Sequence, residues 1–274
     1  MSVADAGTVE RADVAERFGQ VIIVGGGCYG RYYVRQLQRA ARAGAIAAER
    51  LIVVDRNVDC AVANEASGGD HEPWLIPVEL RTEDWREFFP RYLGSASEQR
   101  PFVAHDAIVP SPLMPHLMAE WLVARAHERW PSRTVETRPL DRRPNLPWER
   151  AAPDGTHYVS YATWMCPVNC VEPRTCPHTR GARDWSLATW LPDFARASHV
   201  ASAERASVVL HCRHRAYGVG MFDTRDVLAG DAVIREAGAR GTADVFIGTV
   251  SHCHGALTRL VVGPPSRGDG SPVG

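Results

Sequence analysis

The sequence predicts an α/β protein with a doubly wound, mostly parallel sheet and a C-terminal cysteine-rich α/β extension. Apolar runs alternate with helical patterns in the first half, which is typical of parallel sheets. The first apolar run ends in a glycine cluster at Gly25–Gly30, and the second ends in Asp55. The second half differs, because cysteine and histidine residues concentrate there.

The glycine cluster follows the apolar run Val21–Val24 and precedes a helical pattern. Gly25, Gly27 and Gly30 have the spacing G-x-G-x-x-G. In such a turn the first glycine permits a tight bend, the second lets backbone approach a pyrophosphate, and the third lets the helix pack close to the strand. The helix N-terminus also offers free N–H groups to phosphate. These residues therefore predict a phosphate-binding turn.

The second apolar run, Leu51–Val54, is followed by Asp55, which lies 25 positions after Gly30 (55 − 30). An acid near this spacing holds a ribose hydroxyl in dinucleotide sites. Strand, glycine turn, helix, strand and acid together resemble the NAD(P)-binding Rossmann-fold superfamily, over the N-terminal half only. The resemblance implies a Rossmann-like sheet that binds a dinucleotide at the C-terminal ends of its strands.

Asp55 favours NAD over NADP, because a carboxylate repels a 2′-phosphate, and the neighbouring Arg56 weakens this preference. NAD is therefore the expected cofactor, and NADP is the alternative. Two other interpretations remain: a glycine-rich turn that binds no nucleotide, and an S-adenosylmethionine site, which uses similar elements. The apolar run that leads directly into three glycines favours the dinucleotide.

The other predicted elements follow from apolar periodicity and from proline and glycine positions. Helices are predicted over 29–43, 82–93, 114–130, 185–197 and 224–238. Strands are predicted over 74–80, 102–109, 158–165, 208–211 and 244–250, with a polar loop over 57–69. We therefore expect a leader over 1–19, a Rossmann-like dinucleotide-binding domain over 20–131, a Cys/His-rich region over 132–262, and a disordered tail over 263–274.

Composition narrows the classes of function. The net charge of −1 gives no support to nucleic-acid binding. No apolar run approaches a membrane span, and the first residues lack the apolar core of a signal peptide. All 31 basic residues are arginine, which excludes a Schiff-base or Walker A lysine. We expect a cytoplasmic protein that acts on a small-molecule substrate or a redox partner, with no nucleic acid and no membrane; the oligomeric state stays open.

Cys166, Cys170, Cys176 and His178 fall within thirteen positions (166 to 178). In a reducing compartment such clustering indicates metal ligands rather than disulfides. Thiolates suit iron–sulfur clusters and zinc. A proline follows two of these cysteines, as in bacterial ferredoxin runs, and favours iron–sulfur. The intervals of four and six are not a ferredoxin spacing, so zinc and a set of reduced thiols without metal remain alternatives.

Cys/His residues also follow two predicted strands of the C-terminal half. Cys212 follows the first, and Cys253, flanked by His252 and His254, follows the second. Ligands of open α/β sheets bind at strand C-termini, so Cys212 or Cys253 is a candidate fourth metal ligand, with His178 as the local alternative. Histidine transfers protons near neutral pH, so His252 and His254 are candidate catalytic residues. Local hydrogen bonding is the alternative role of these histidines.

His116 is the third catalytic candidate. It ends a proline-rich loop over 110–116, and the loop after the fourth strand of a Rossmann-like sheet often borders the nicotinamide. The alternative is that the prolines only shape the start of the next helix.

Together these features predict an NAD(P)-dependent oxidoreductase with a cysteine-ligated metal centre, with iron–sulfur favoured and zinc as the alternative. We call residues 166–178 the cysteine loop. In a continuous parallel sheet, the glycine turn, the cysteine loop and the Cys/His strand ends would converge on one pocket. A non-catalytic NAD or redox sensor and a metal-handling protein are the alternative functions.

Overall fold

The computed structural model describes residues 15–68, 72–99, 105–167, 169–197 and 203–264. Over these residues the chain forms twelve strands and six helices. The strands are β1 (Glu16–Val24), β2 (Ile46–Asp55), β3 (Val78–Thr82), β4 (Ala107–Val109), β5 (Val135–Arg138), β6 (Trp148–Ala151), β7 (His157–Ser160), β8 (Glu204–His211), β9 (Arg213–Ala216), β10 (Val219–Asp223), β11 (Ala243–Val250) and β12 (His254–Val262). The helices are α1 (Cys28–Arg42), α2 (Ala61–Ser67), α3 (Trp85–Gln99), α4 (Leu117–Arg129), α5 (Leu187–Ala197) and α6 (Thr224–Ala239).

The strands form two sheets, and both sheets are mixed. The first has the order β3-β2-β1-β4-β10-β9. Its first four strands are parallel, and β10 and β9 are antiparallel to their neighbours. The second has the order β6-β7-β12-β11-β8, with β5 also paired to β12. In this sheet only β11 and β8 form a parallel pair among the described strands.

The prediction of a doubly wound, mostly parallel Rossmann-like sheet is therefore wrong. Two tight turns reverse the chain at places where the sequence analysis predicted no hairpin. Tyr217 and Gly218 both have positive φ, at 47° and 81°, as a two-residue hairpin loop requires, and they join β9 to β10. His252 and Cys253, which follow the strand predicted over 244–250, form the turn between β11 and β12, closed by the bond from Ser251 N–H to the His254 carbonyl (2.8 Å).

Alternating side chains of the central strands place the core on both faces of each sheet. In β1, Ile22 and Val24 face the helices α3, α4 and α6, whereas Val21 and Ile23 face α1. In β11, Val245 and Ile247 join that same middle layer, while Phe246 packs with α5. The two sheets therefore enclose a shared helical layer, and α1 and α5 cover the outer faces.

Several predicted boundaries also differ. The leader over 1–19 overlaps β1, which begins at Glu16; residues 1–14 lie outside the described part. Residues 57–69, predicted as a loop, contain α2, and β5 and β6 form where no strand was predicted. Residues 213–223, which fall in the predicted Cys/His-rich region over 132–262, form the β9–β10 hairpin of the first sheet. Of the tail predicted over 263–274, residues 265–274 lie outside the described part of the chain.

None of the helices formed by the described residues combines the length and the apolar character that crossing a bilayer would need.

His116 links the two halves of the molecule. It is the N-cap of α4 and is buried, with Nδ1 at 3.0 Å from Thr249 Oγ1 on β11 and Nε2 at 3.0 Å from Thr258 Oγ1 on β12. Each hydroxyl can donate or accept, so a neutral ring satisfies both contacts. The residue thus fastens the start of α4 to the second sheet.

Protonation of His116 should weaken the fold in mild acid. Burial lowers the pKa of His116 from 6.5 to about 4. In the unfolded chain the ring titrates near 6.5, so below that pH the unfolded state binds more protons than the folded state. The free energy of unfolding should therefore fall by about 2 kcal/mol between pH 7 and pH 5 through this residue.

Urea unfolding of the wild type and of His116→Gln at the two pH values measures this. The amide of glutamine can still bond both threonines, and all other titrating groups are common to the two proteins. The variant should lose less stability than the wild type by the stated amount. Equal losses would show that the buried ring is not the cause.

Candidate functional site

The glycine turn is fixed to the end of β2 by one carboxylate. Gly25 has φ of +87°, which glycine tolerates without strain, and its N–H bonds to the Val54 carbonyl (2.8 Å). The Gly26 N–H donates to Asp55 Oδ2 (2.6 Å), and Asp55 Oδ1 accepts the Asn57 N–H (2.8 Å). Each carboxylate oxygen retains a further acceptor position for a ligand hydroxyl.

The glycines of the turn have different surroundings. A Cβ at Gly30 would overlap the carbonyl oxygen of Gly25, and a Cβ at Gly26 would overlap the sulfur of Cys60. A Cβ at Gly27 would meet nothing within 4 Å. Gly26 and Gly30 are therefore required by close packing, whereas Gly27 borders open space at the N-terminus of α1.

The Arg56 side chain contacts two residues at the start of α3. Its guanidinium lies over the ring of Trp85, 5.1 Å from the centroid, and its Nε is 3.6 Å from Asp84 Oδ2. The charge of Arg56 is therefore balanced by a neighbouring acid.

A cleft of about 640 Å³ lies beside the glycine turn. Three segments form its walls: the start of α1 with Cys28 and three tyrosines, the proline-rich loop after β4 with Ser111, and the β9–β10 hairpin with Cys212 and His214. Burial raises the pKa of Tyr33 and that of Cys212 to about 12 each. Both groups are therefore uncharged at neutral pH.

His214 is the residue of the cleft best suited to transfer a proton. Its Nδ1 is in short contact with the carbonyl oxygen of Cys170. A carbonyl only accepts, so Nδ1 carries the hydrogen and Nε2 is the basic nitrogen. Gly220 makes room for this ring, because a Cβ there would lie 3.2 Å from Nε2. The contact with Cys170 thus selects the tautomer.

Four thiols line a second, smaller cavity. Cys166, Cys170 and Cys176 come from the cysteine loop, and Cys253 comes from the β11–β12 turn. Burial and the thiols of Cys170 and Cys176 raise the pKa of Cys166, and burial raises that of Cys253 to about 11. The Thr179 backbone N–H lowers the pKa of Cys176. Among the described residues, no group of three or more Cys, His, Asp or Glu side chains is placed so that it could hold a metal ion.

Glu172 joins the cysteine loop to the turn that carries Cys253. It is buried and has a φ of +48°. Its Oε1 accepts the Ser251 hydroxyl (2.7 Å) and the Cys253 N–H (3.3 Å), and Oε2 accepts the His252 N–H (3.3 Å). Burial opposes ionisation of Glu172, but the nearby His214 and these hydrogen bonds lower its pKa overall.

The two cavities share a wall. Besides the contact between His214 and Cys170, a Cβ at Gly218 would overlap Asn169 of the cysteine loop. The Cys212 N–H bonds to the Val250 carbonyl (2.8 Å), at the point where the chain passes from the second sheet to the first. The cleft therefore lies at the junction of the two sheets.

The structure brings only some of the predicted site residues together. Cys253 joins the cysteine loop, and Cys212 lines the cleft. His252 Nδ1 is 3.0 Å from Ser186 Oγ, and His254 Nδ1 is 2.9 Å from Ser160 Oγ. The described residues that line the cleft include neither His252 nor His254, and they do not include His116.

Two residues of the site were not selected from the sequence. His214 stands two positions after Cys212 at the same strand end, where the alternation of an extended strand puts the two residues on one face. Glu172 has no such signal, because its partners at 251–253 are distant in the chain.

The family model AF_1314_C, described as "Uncharacterized protein, C-terminal domain", matches residues 118–263. This is 146 of 274 residues (263 − 118 + 1) and contains the cysteine loop and the β9–β10 hairpin but not the glycine turn. Searches of curated proteins and of solved structures gave no match.

Gly30→Ala should destabilise the fold by about 1–3 kcal/mol, because the added methyl group must displace the Gly25 carbonyl. The matched control is Gly27→Ala, which places the same group in open space at the helix N-cap and should cost under about 1 kcal/mol. Urea unfolding at neutral pH compares them. Equal effects would mean that the helix does not require this close approach.

Proposed function

The chain belongs to the AF_1314_C family, and we propose that it is an NAD(H)-dependent oxidoreductase whose reaction takes place in the cleft. The observation that carries the proposal is His214. Its basic Nε2 borders a cleft that also contains the start of α1, directly after the glycine turn. A dinucleotide bound at that turn would bring its nicotinamide within reach of a positioned proton donor.

The glycine turn supports the binding of NAD(H). Open space over Gly27 leaves room for a pyrophosphate at the N-terminus of α1. Asp55 is held at the turn with acceptor capacity left for the ribose hydroxyls. Because Arg56 pairs with Asp84, its charge adds little at a 2′-phosphate, so NAD is favoured and NADP is the alternative.

The proposed chemistry is the reversible reduction of a carbonyl group. A reduced nicotinamide bound at the turn would supply the hydride for the carbonyl carbon, and His214 Nε2–H would give its proton to the oxygen, so that the products would be NAD⁺, an alcohol and a neutral imidazole. Solvent then reprotonates the ring. The bond of Nδ1 to the Cys170 carbonyl keeps the ring oriented during both steps.

The lining of the cleft indicates the class of substrate. Tyrosine and proline side chains dominate it, and the described lining residues include no arginine, aspartate or glutamate. Apart from His214, which the proposed reaction uses as its proton donor, a charged substrate would find no counter-ion there. We therefore propose a small, uncharged aldehyde or ketone.

The cysteine loop would hold the second cofactor of the proposal, an iron–sulfur cluster, with zinc as the alternative. Soft thiolates suit both. The proline that follows Cys166 and the one that follows Cys176 still favour iron–sulfur.

Gly27→Val should abolish NADH binding with the fold retained, because the side chain would occupy the space proposed for the pyrophosphate. Titration calorimetry with NADH and with NADPH measures the effect, and the wild type should prefer NADH. Gly94→Val is the matched control, since a Cβ at Gly94 on α3 also meets nothing within 4 Å. Unchanged NADH affinity in Gly27→Val would refute the site.

His214→Gln should lower kcat about 10²–10⁴-fold while the affinity for NADH changes little, because the variant loses only the proton donor. The assay follows NADH absorbance with a panel of small uncharged aldehydes and ketones. The control is His105→Gln, an exposed histidine on a different surface. If the wild type turns over a substrate and His214→Gln keeps that activity, His214 is not the proton donor.

A non-catalytic NAD or redox sensor is the second candidate. It is favoured by the wall that the cleft and the cysteine cavity share through His214 and Gly218. Binding of NADH without turnover on any member of the panel, with an affinity that depends on the oxidation state of the cysteine loop, would support the sensor over the enzyme.

A further inference from the structure

We infer that the protein binds an uncharged polyhydroxy compound, a sugar or a polyol, in a second cleft between α4 and the second sheet. This cleft has a volume of about 670 Å³, and small-molecule sites generally measure roughly 300–1,000 Å³. Among the described lining residues, it shares only Pro115 with the cleft beside the glycine turn. The inference goes beyond the proposed function and does not depend on it.

The second sheet supplies one wall of this cleft, which we call the hydroxyl cleft. Four side chains with hydroxyl groups line that wall, and they are Thr137, Thr156, Tyr158 and Thr258. Strand β12 pairs with β7 and with β5, so that Tyr158 lies opposite Ala256 and Thr137 lies opposite Leu260. Because side chains alternate along a strand, positions 256, 258 and 260 share one face with their partners. The hydroxyl groups therefore lie on the same face of the sheet.

Most of these hydroxyl groups have no partner in the part of the chain that the structure describes. Thr258 Oγ1 is 3.0 Å from His116 Nε2, whereas the hydroxyls of Thr137, Thr156 and Tyr158 bond no described residue. Thr156 is only 8% exposed, and its side chain borders the hydroxyl cleft. A buried hydroxyl needs a hydrogen-bond partner, so a molecule in the hydroxyl cleft has to provide it.

The opposite wall is one face of α4. Its lining residues have the helical spacing of three, one and three positions, and they are Glu120, Val123, Ala124 and His127. Glu120 forms an ion pair with Arg86 of α3 (3.1 Å), so the charges of both are balanced. Val123 and Ala124 present only carbon to the cleft. This wall can therefore contact the C–H groups of a ligand while the sheet bonds its oxygen atoms.

Asp154 adds a carboxylate to the lining. It forms no ion pair with a described residue, and its Oδ1 accepts the Thr156 N–H (2.9 Å). Its Oδ2 remains available as an acceptor. A carboxylate can accept hydrogen bonds from two adjacent hydroxyl groups, as a sugar or polyol offers them.

The lining selects against other classes of ligand. An apolar molecule would leave the Thr156 hydroxyl without a partner. An anion would find Arg86 already paired with Glu120, and it would meet Asp154 as a like charge. A cation would gain only the exposed Asp154, and exposed ion pairs contribute little. Hydroxyl groups, which both donate and accept, match the row of protein hydroxyls.

A ligand that contacts both walls would connect α4 to the second sheet. The contact would lie beside the existing bond between His116 and Thr258, which fastens the start of the same helix. Because the two walls separate when the chain unfolds, the ligand binds the folded state alone and should stabilise it.

The test is titration calorimetry of the full chain with D-glucose, D-ribose, myo-inositol and maltose, with glucosamine and glucose 6-phosphate as charged counterparts of glucose. At least one neutral compound should bind saturably, and neither charged compound should bind more tightly. Ala124→Phe should abolish this binding, because Ala124 is exposed on α4 and the added ring would occupy the cleft. The matched control is Ala66→Phe at an exposed position on α2, which should bind as the wild type does. Thr156→Val should weaken binding about five- to tenfold through the loss of one hydroxyl.

The inference is overturned if none of the neutral compounds binds, if Ala124→Phe binds as tightly as Ala66→Phe, or if a charged compound binds best. Thermal unfolding of the wild type with the same compounds covers variants that fail to fold: the neutral ligand should raise Tm, and no rise with any of them also overturns the inference. NADH titrations distinguish this site from the proposed function. Ala124→Phe should keep its NADH affinity, and Gly27→Val should keep its affinity for the neutral compound, so either site can fail alone.

Discussion

The buried carboxylate of Glu172 is the interaction on which the site depends. It lies in a loop with little regular structure, yet it receives the Ser251 hydroxyl and two backbone N–H groups of the β11–β12 turn. Hydrogen bonds to a charged group are worth about 1.5–3 kcal/mol each, and a buried carboxylate without them would be strongly unfavourable. The cysteine loop is therefore anchored to the second sheet by one side chain.

The anchored loop in turn shapes the first sheet's cleft. Cys170 presents its carbonyl to His214, and Asn169 fills the space that glycine leaves at position 218. Contacts thus connect the second sheet, through Glu172 and the cysteine loop, to His214 on the first sheet. The chain itself crosses from the second sheet to the first at Cys212, between β8 and β9. The cleft is consequently a product of both sheets, and neither alone contains all of its walls.

The sequence was informative where the physics is local. The β1 run, the glycine turn, α1 and β2 lie close to their predicted positions, because strand and helix periodicity and glycine spacing act over a few residues. Prediction from the sequence failed where contacts between distant segments determine the structure. The reversals at Tyr217–Gly218 and His252–Cys253 convert a predicted parallel sheet into two mixed ones. Gly218 is a turn residue, but one glycine does not show which strands pair across it. His252 and Cys253 are not typical turn residues. The partnership of Glu172 with residues 251–253 spans about eighty positions, as does the grouping of Cys253 with the loop. Periodicity carries no information over such separations.

The position of β12 has a consequence for biosynthesis. This strand covers residues 254–262, yet it lies inside the second sheet, between β7 and β11. Until the ribosome has released it, β7 and β11 have no partner on that side, and Thr258 is not there to meet His116. Folding of this half therefore waits for residues 254–262, and contacts between segments far apart in the chain slow it. During that interval the thiols of the cysteine loop stay exposed, so a cell that makes this protein must protect reduced cysteines on a nascent chain.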